Sequence, residues 1–390
     1  MDYRAMAQKR LPRVLFDYID GGSYSETTMA RNRSDFAQLQ LRQRVLKDVS
    51  KLSLETNLFG QKLAMPAILS PVGMAGMYAR RGEAVAARAA QAAGINLCLS
   101  TLAICGVEEV TAAVPKPIWY QLYVAKDRGI TKAMLERVRA AGCPVLAVTV
   151  DLATPGTRYR EVRSGLTGLL SPTARLRKAW QGLSHPGWLR EVYFGGRPHD
   201  FGNVVDYIPN ATVAADYWAW ITSMLDASLN WDDLAWLRQH WDGTLVLKGI
   251  LDVEDAREAA RAGVDGIVVS NHGGRQLDGA ASSIAALPAI ADAVGDKLTV
   301  LMDGGIRSGV DMLTALASGA QGVLLGRAWA YALAARGEAG VAHMLSLLRK
   351  ELETAMMLTG LTDIRDAGPN LLINKSQPGR LTSTDTLTSC

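Results

Sequence analysis

The stretch Gly266-Ile-Val-Val-Ser-Asn-His-Gly-Gly-Arg-Gln-Leu-Asp278 passes from an apolar run into polar residues and glycines. A strand of a parallel sheet is apolar while both faces are covered, and it becomes polar where it emerges at the functional end of a barrel. His272 and Arg275 leave that predicted strand end together. Histidine exchanges a proton near neutral pH, and arginine binds a carboxylate through two hydrogen bonds. A lone histidine is more often a packed residue, so the role of His272 depends on which residues follow the other predicted strands.

Seven further apolar runs alternate with helical stretches. The eight predicted strands span 64–70, 95–100, 118–123, 145–150, 245–249, 266–270, 298–302 and 322–325. Four helices end next to a glycine (Gly94, Gly142, Gly263 and Gly319), which favours the left-handed turn into the following strand. This alternation indicates a parallel sheet, and eight units favour an α/β fold of the closed (β/α)8 TIM barrel type. No GxGxxG motif follows the first strand, which argues against an open dinucleotide-binding sheet.

A single barrel domain accounts for most of the chain. Its 390 residues, 48% of them apolar, can bury a large core. We predict one domain over residues 1–380, with an N-terminal helical cap at 1–59. A long insertion and its following helix, at 155–244, are predicted after the fourth strand. Residues 381–390 are predicted to form a polar tail.

The insertion has an unusual composition. Residues 155–200 contain eight arginines and lysines against three acidic residues, and seven of the nine tryptophans lie between Trp180 and Trp241. Basic residues beside aromatic and aliphatic ones suit adhesion to an anionic membrane surface. The alternative is a solvated loop followed by ordinary helical packing, as for Trp231, Trp236 and Trp241. No apolar run approaches the roughly 20 residues of a spanning helix, so we predict peripheral membrane contact.

The charge and the cysteines exclude several other classes. A net charge of +4 is too small and too dispersed to favour a nucleic-acid partner. The four cysteines (Cys98, Cys105, Cys143 and Cys390) show no CxxC pair and no metal-ligand spacing, so we predict no metal site. Isolated cysteines of this kind favour a reducing, cytoplasmic compartment over a disulfide framework.

Each predicted strand ends in small, polar or charged residues, which in a TIM barrel converge on one face. These ends are Ser70-Pro71-Val72-Gly73, Ser100-Thr101, Gln121-Leu122-Tyr123, Thr149-Val150-Asp151, Lys248-Gly249, Ser270-Asn271-His272, Asp303-Gly304-Gly305-Ile306-Arg307 and Gly326-Arg327. Any one polar end is weak support for a site. A complete ring that contains a lysine, a histidine and several arginines is much stronger support.

The last two strand ends predict a phosphate site. Glycine-rich turns that lead into helices expose backbone amides, and the loops after strands seven and eight are the usual phosphate site of such barrels. Arg307 and Arg327 lie where a dianion needs positive charge. The alternative is that the glycines only make tight turns. Lys248 is open to three interpretations: a Schiff base, a partner for a buried acid, or a cation that stabilises negative charge on a cofactor.

Taken together, these motifs resemble the FMN-dependent 2-hydroxy-acid dehydrogenases and oxidases. The motifs that carry the resemblance are Ser270-Asn-His-Gly-Gly-Arg-Gln-Leu-Asp278, Asp303-Gly-Gly-Ile-Arg307, Leu325-Gly-Arg327, Trp119-Tyr-Gln-Leu-Tyr123 and Thr149-Val-Asp151. The insertion, with Thr154-Pro-Gly-Thr-Arg-Tyr-Arg160 and Arg197-Pro-His-Asp-Phe-Gly-Asn203, is most similar to that of the membrane-associated respiratory L-lactate dehydrogenases of bacteria. Gly73 occupies a position where many oxidases of the family have alanine.

The resemblance implies a role for each strand-end residue. His272 is expected to be the catalytic base and Asp151 its partner. Substrate contacts are expected from Tyr18, Tyr123, Arg158 and Arg275. FMN contacts are expected from Pro71, Val72, Gly73, Ser100, Gln121, Thr149, Lys248, Ser270, Asp303, Gly304, Gly305, Arg307, Gly326 and Arg327.

The implied reaction oxidises an L-2-hydroxy acid, with L-lactate to pyruvate as the first expectation, and passes the electrons to a membrane quinone. A homotetramer at the cytoplasmic face of the bacterial inner membrane is also implied. The rivals are an L-mandelate dehydrogenase, an oxygen-using 2-hydroxy-acid oxidase, a Schiff-base aldolase that uses Lys248, and a non-catalytic barrel that binds a phosphorylated ligand. The residues alone do not choose between hydride transfer and a carbanion route.

Overall fold

The computed structural model describes residues 2–166, 180–208 and 214–373. Eight parallel strands close into a barrel in chain order, with the last strand paired to the first. The barrel strands are Ala67–Leu69 (β3), Asn96–Ser100 (β4), Trp119–Leu122 (β5), Val145–Thr149 (β6), Thr244–Ile250 (β7), Gly266–Val269 (β8), Thr299–Asp303 (β9) and Gly322–Leu325 (β10). The predicted (β/α)8 barrel is therefore confirmed, and every predicted strand lies within three residues of its observed bounds.

A short antiparallel hairpin, Thr56–Leu58 (β1) and Gln61–Leu63 (β2), packs against the residues inside the barrel. Leu58 and Phe59 contact the interior residue Trp119 and its neighbours. A side chain on Gly266 would place its Cβ 2.7 Å from the Phe59 ring, and one on Gly322 would lie 2.7 Å from Leu58 Cδ1. Glycine at the start of these two strands therefore makes room for the hairpin.

Helices surround the barrel and form the cap. Their bounds are Tyr3–Arg10 (α1), Arg13–Asp20 (α2), Thr27–Ser34 (α3), Gly82–Ala92 (α4), Val107–Ala112 (α5), Arg128–Ala140 (α6), Tyr159–Ser164 (α7), Ala214–Met224 (α8), Asp233–His240 (α9), Val253–Arg261 (α10), Ser283–Val294 (α11), Gly309–Ala317 (α12) and Arg327–Thr359 (α13). Helix α13 is broken at Arg336 and Gly337, whose backbone angles are not helical.

The cap is held to the functional end of the barrel by α2. Residues 14–20 of this helix are all buried. Its N-cap residue, Pro12, makes no side-chain hydrogen bond, so packing and not capping holds this helix in place. Its C-terminal carbonyls accept hydrogen bonds from barrel arginines: Arg275 donates to the carbonyls of Tyr18 and Gly21, and Arg327 to that of Ile19. Cations at a helix C-terminus offset its negative end, so the cap is fixed over the strand ends.

The insertion after β6 is described in part. Trp188 and Val192 are buried, and the Trp188 indole donates to the carbonyl of Met77. Trp241 is also buried, whereas Trp180 is exposed. Three of the basic residues predicted to contact the membrane, Arg175, Arg177 and Lys178, lie outside the described residues, and so does the predicted polar tail at 381–390. None of the helices in the described ranges is long and apolar enough to cross a membrane.

Candidate active site

The carboxyl ends of the eight strands surround one cleft of about 1200 Å³, part of which is open solvent. It is lined by every residue predicted for the site except Asp151 and Ser270. Those two lie directly behind the lining, where they contact His272 and Lys248 respectively. The structure therefore brings all the predicted residues together, although their sequence positions run from Tyr18 to Arg327.

His272 and Asp151 form a hydrogen-bonded pair at the end of β8. His272 Nδ1 lies 2.9 Å from Asp151 Oδ1, and Ser270 Oγ accepts a hydrogen bond from the His272 backbone amide. The backbone of His272 has a φ of +58°, in the left-handed region. This conformation is uncommon outside glycine and is typical of side chains held in place for a function. Because Nδ1 is bound to the carboxylate, Nε2 is the ring nitrogen available to a ligand.

The charge state of this pair suits proton acceptance. Burial lowers the pKa of His272, and the Asp151 carboxylate offsets only part of this effect. Burial would raise the pKa of Asp151, but His272 and Lys248 lower it below its ordinary value. At neutral pH the histidine is therefore neutral and the aspartate ionised, which is the state required of a general base and its partner.

Two arginines and two tyrosines line the same cleft as the histidine. Tyr18 and Tyr123 are both about one-tenth exposed, and the Arg275 guanidinium lies 4.8 Å from the centre of the Tyr18 ring. Arg158 donates from Nε to the backbone carbonyl of Arg275 at 3.1 Å. A Cβ on Gly73 would lie 3.0 Å from the Tyr18 hydroxyl oxygen, so glycine at this position leaves space for the phenol.

The lining of the cleft also includes a buried lysine and several buried polar atoms that make no hydrogen bond within the described ranges. Lys248 Nζ lies 2.9 Å from Asp303 Oδ2 and donates to Ser270 Oγ at 3.0 Å. Burial lowers the pKa of Lys248, but Asp303 and Asp151 together more than offset this, so the amine stays charged. Within the described ranges, Gln121 Nε2, Thr149 Oγ1 and Asp303 Oδ1 are buried and make no hydrogen bond. Such orphaned groups are costly unless a ligand satisfies them.

Positive charge collects at the ends of β9 and β10. Gly304 and Gly305 have φ values of +93° and +88°, and a Cβ on Gly305 would collide with the carbonyl oxygen of Asn32. Burial lowers the pKa of Arg307, and burial together with repulsion from Arg275 lowers that of Arg327 to about 9. A bound phosphate dianion would offset this repulsion, so the charge distribution suits a phosphorylated ligand.

Residues 7–374 match the profile of the FMN-dependent dehydrogenases. The chain belongs to this family. Two curated relatives are L-lactate dehydrogenases: one from Pectobacterium atrosepticum (55% identity over 376 residues, 96% of this chain and 97% of the relative) and one from Stenotrophomonas maltophilia (56% over 373 residues, 96% and 98%). A solved structure of the monotopic membrane protein (S)-mandelate dehydrogenase superposes with a TM-score of 0.89 at 36% identity, and covers 96% of this chain and 98% of that one.

These findings confirm the predicted resemblance, the predicted enzyme class and the FMN cofactor. The cleft of this FMN-dependent dehydrogenase fits the cofactor on independent grounds. The orphaned atoms Gln121 Nε2 and Thr149 Oγ1 offer a donor and an acceptor to a planar heterocycle. The buried cations Arg307 and Arg327 lie at the other end, where the phosphate belongs.

Several residues that support the site of this dehydrogenase were not predicted from the sequence. Glu161 is buried and lies 3.0 Å from Arg275 Nη2. Asp20 is buried and accepts hydrogen bonds from Arg4, Arg160 and Tyr331. An acidic residue three positions after Arg158 was a usable signal for Glu161, because side chains three residues apart face each other if the segment is helical. No local pattern points to Asp20, because its partners Arg160 and Tyr331 are distant in sequence.

Proposed function

We propose that the enzyme oxidises L-lactate to pyruvate with FMN and passes the electrons to a membrane quinone. The observation that carries the proposal is a neutral His272, paired with Asp151 at 2.9 Å, which lines the same cleft as Arg158 and Arg275. This arrangement suits a carboxylate with a hydroxyl on the adjacent carbon, because one end needs cations and the other a base. The names of the two curated relatives support L-lactate as the substrate.

Each residue at the substrate end has a proposed task. Arg158 and Arg275 bind the carboxylate, which fixes the orientation of the adjacent carbon. Tyr18 and Tyr123 contact the carboxylate and the hydroxyl oxygen. His272 Nε2 then accepts a proton from the substrate, and the Asp151 carboxylate stabilises the imidazolium that forms. The reaction therefore leaves a 2-oxo acid in the cleft and a proton on His272.

The remaining strand ends hold the cofactor in this proposal. Ser100, Gln121, Thr149 and Ser270 bind the isoalloxazine ring with the backbone of Pro71-Val72-Gly73, and Lys248 stabilises negative charge on it. Asp303, Gly304, Gly305, Arg307, Gly326 and Arg327 form the phosphate end. When bound, FMN supplies a two-electron acceptor for the substrate.

An anaerobic absorption spectrum of the purified holoenzyme tests the reaction. L-lactate should bleach the flavin bands within the mixing time, and D-lactate should leave them unchanged. L-mandelate is the second candidate, because the mandelate dehydrogenase structure superposes over 96% of this chain. Faster bleaching by L-mandelate than by L-lactate would indicate that L-mandelate is the substrate. A quinone should restore the bands faster than air, and the reverse order would indicate an oxidase.

We also propose that the insertion contacts the membrane. Trp180, Leu183 and Phe194 are 69%, 64% and 58% exposed, and the Arg197 guanidinium lies 5.6 Å from the centre of the Phe194 ring. Exposed aromatic and aliphatic side chains next to cations suit the interface of an anionic bilayer. The monotopic character of the mandelate dehydrogenase supports this proposal.

Point substitutions test the membrane contact better than a deletion, because Trp188 and Val192 of the same segment are buried. The triple variant Trp180→Ser, Leu183→Ser, Phe194→Ser should lose binding to anionic vesicles and keep its rate of reduction by L-lactate. Val45→Ser with Leu46→Ser is the control, since these side chains are 71% and 102% exposed on another loop. Unchanged vesicle binding by the triple variant would reject this face.

We propose, on the family resemblance, that the enzyme contacts the cytoplasmic side of the bacterial inner membrane, where the proposed quinone acceptor lies. A homotetramer is proposed on the family resemblance. Size-exclusion chromatography with light scattering on the detergent-solubilised holoenzyme measures its mass directly, and a monomeric mass would reject the tetramer.

A further inference from the structure

A buried glutamate lies between the two arginines of the substrate end. Glu161, on α7, is 3% exposed at its side chain. Its Oε1 lies 3.0 Å from Arg275 Nη2 and 3.6 Å from Arg158 Nη1. None of the tasks proposed above uses this carboxylate, although it contacts both groups assigned to the substrate carboxylate.

The orientation of the two guanidinium groups does not depend on Glu161. Arg275 Nη1 donates to the backbone carbonyls of Tyr18 at 2.6 Å and Gly21 at 2.8 Å. Arg158 donates from Nε to the carbonyl of Arg275 and from Nη2 to Gln276 Oε1 at 3.3 Å. Because these bonds already fix both groups, the distinct contribution of Glu161 is its negative charge.

The charge at the substrate end follows from the three side chains. Two guanidinium groups and one carboxylate leave a net charge of +1. Of the other charged groups at the cleft, Lys248 pairs with Asp303, and Arg307 and Arg327 are the proposed ligands of the phosphate, which offsets their charge. Asp151 is bound to His272 behind the lining of the cleft. Burial would lower the pKa of Arg275, but Glu161 together with Tyr18 and Tyr78 more than offsets this, so the pKa lies above its ordinary value.

We propose that Glu161 restricts the enzyme to 2-hydroxy acids with a single carboxylate by setting the charge of the substrate end to +1. This inference rests on the proposed function, since it takes Arg158 and Arg275 as the carboxylate ligands. A monocarboxylate neutralises the site. A dicarboxylate leaves an uncompensated negative charge in a buried cleft next to Glu161, which is costly.

The size of the effect follows from Coulomb's law. Two like charges about 7 Å apart, at the effective dielectric constant of about 20 that suits buried sites, disfavour binding on the order of tenfold to a hundredfold. Removing the Glu161 charge should therefore improve the binding of a dianion relative to a monoanion by about that factor. A residue that only positioned the arginines would change both affinities in parallel.

The experiment titrates the oxidised holoenzyme with pyruvate, a monoanion, and oxalate, a dianion, and follows the flavin spectrum at neutral pH. In Glu161→Gln, which keeps the shape and a hydrogen-bond acceptor, the ratio of the oxalate to the pyruvate dissociation constant should fall at least about tenfold. Glu161→Asp retains the charge and should keep the ratio of the wild type. Glu26→Gln is the matched control, because Glu26 also pairs with an arginine, Arg160 at 2.7 Å, but does not line the cleft.

The same variants should differ in turnover. Glu161→Gln should gain kcat/KM for 2-hydroxymalonate relative to L-lactate, whereas the two controls should not. An unchanged oxalate-to-pyruvate ratio in Glu161→Gln, with L-lactate still oxidised, would overturn this inference and leave the proposed function standing. A wild-type enzyme that neither oxidises L-lactate nor binds pyruvate would contradict both this inference and the proposed function.

Discussion

Burial and the Asp151 carboxylate act in opposite directions on the protonation of His272. Burial favours the neutral imidazole, while the Asp151 carboxylate at 2.9 Å favours the imidazolium. Burial has the larger effect, so the base form persists below the ordinary pKa of 6.5. During turnover the balance must reverse, because the proton taken from the substrate creates the charge that Asp151 then stabilises.

This balance predicts the pH profile. The base form of His272 is the active one and its pKa is lowered, so kcat/KM for L-lactate should be flat near neutrality and fall only below pH 6.5. Asp151→Asn removes the carboxylate and leaves burial unopposed, so the acidic midpoint should move to lower pH while kcat falls. Initial rates across a pH series with a soluble dye as acceptor measure both. An acidic midpoint above 6.5 would contradict the proposed role.

Replacing the base should separate catalysis from cofactor binding. His272→Gln keeps a polar side chain but cannot accept a proton near neutral pH, so kcat should fall by about 10²- to 10⁴-fold. The visible flavin spectrum and the stoichiometry of bound FMN should not change, because His272 is not assigned to the cofactor. Turnover within a few-fold of the wild type would exclude His272 as the base.

Strand β7 positions Asp151 through an irregularity in its pairing with β8. The register shifts between Lys248 and Ile250, and Gly249 at this shift has a φ of +112°. A Cβ on Gly249 would lie 2.6 Å from both Cβ and Cγ of Asp151. Bulges of this kind re-aim side chains near active sites. Strand β7 therefore carries Lys248 into the cleft, and the next residue, Gly249, leaves the space that the Asp151 side chain occupies.

This arrangement predicts that Gly249→Ala damages catalysis as well as stability. The added methyl group would displace Asp151, so kcat should fall and the acidic limb of the pH profile should move as in Asp151→Asn. The positive φ should also cost about 1–2 kcal/mol of unfolding free energy. Gly263→Ala is the matched control: its φ is +71°, but no atom lies within 4 Å of the new Cβ. Equal loss of kcat in both variants would rule out the specific contact with Asp151.

The elements were predictable from the sequence to the extent that their causes are local. Apolar runs and helix-terminal glycines such as Gly94 and Gly263 specify the eight units, and the polar strand ends specify the ring of site residues. The bulge at Gly249 was not predictable, because the Asp151 side chain that packs against it belongs to the loop after β6 and is distant in sequence. The pairing of Glu161 with Arg275 was not predictable for a related reason: the two residues are 114 positions apart, and only the fold makes them neighbours.

At the scale of the whole molecule, the Asp20 carboxylate connects three parts of the chain. Its carboxylate accepts hydrogen bonds from Arg4 of the cap at 2.6 Å, Arg160 of the insertion at 2.7 Å and Tyr331 of α13 at 2.7 Å. Burial alone would raise the pKa of Asp20, but these bonds more than offset it, so the pKa lies well below its ordinary value. The same helix carries Tyr18, so the junction connects the packing of the cap with the substrate end.

Removal of this junction should therefore weaken stability and substrate binding together. Asp20→Ala leaves the buried Tyr331 hydroxyl without its acceptor and removes one of the two carboxylates that pair with the half-buried Arg160, and an unsatisfied buried donor typically costs about 1–3 kcal/mol. We expect a lower unfolding temperature and a KM for L-lactate raised several-fold, with kcat less affected because His272 and Asp151 are not in contact with Asp20. Glu338→Gln removes an exposed ion pair with Arg88 and should cost no more than about 1 kcal/mol with KM unchanged. Thermal unfolding and steady-state kinetics on the same holoenzyme preparations measure both quantities. If Asp20→Ala lowered the unfolding temperature but left KM at its wild-type value, the cap would contribute to stability alone and Tyr18 would keep its position without this junction.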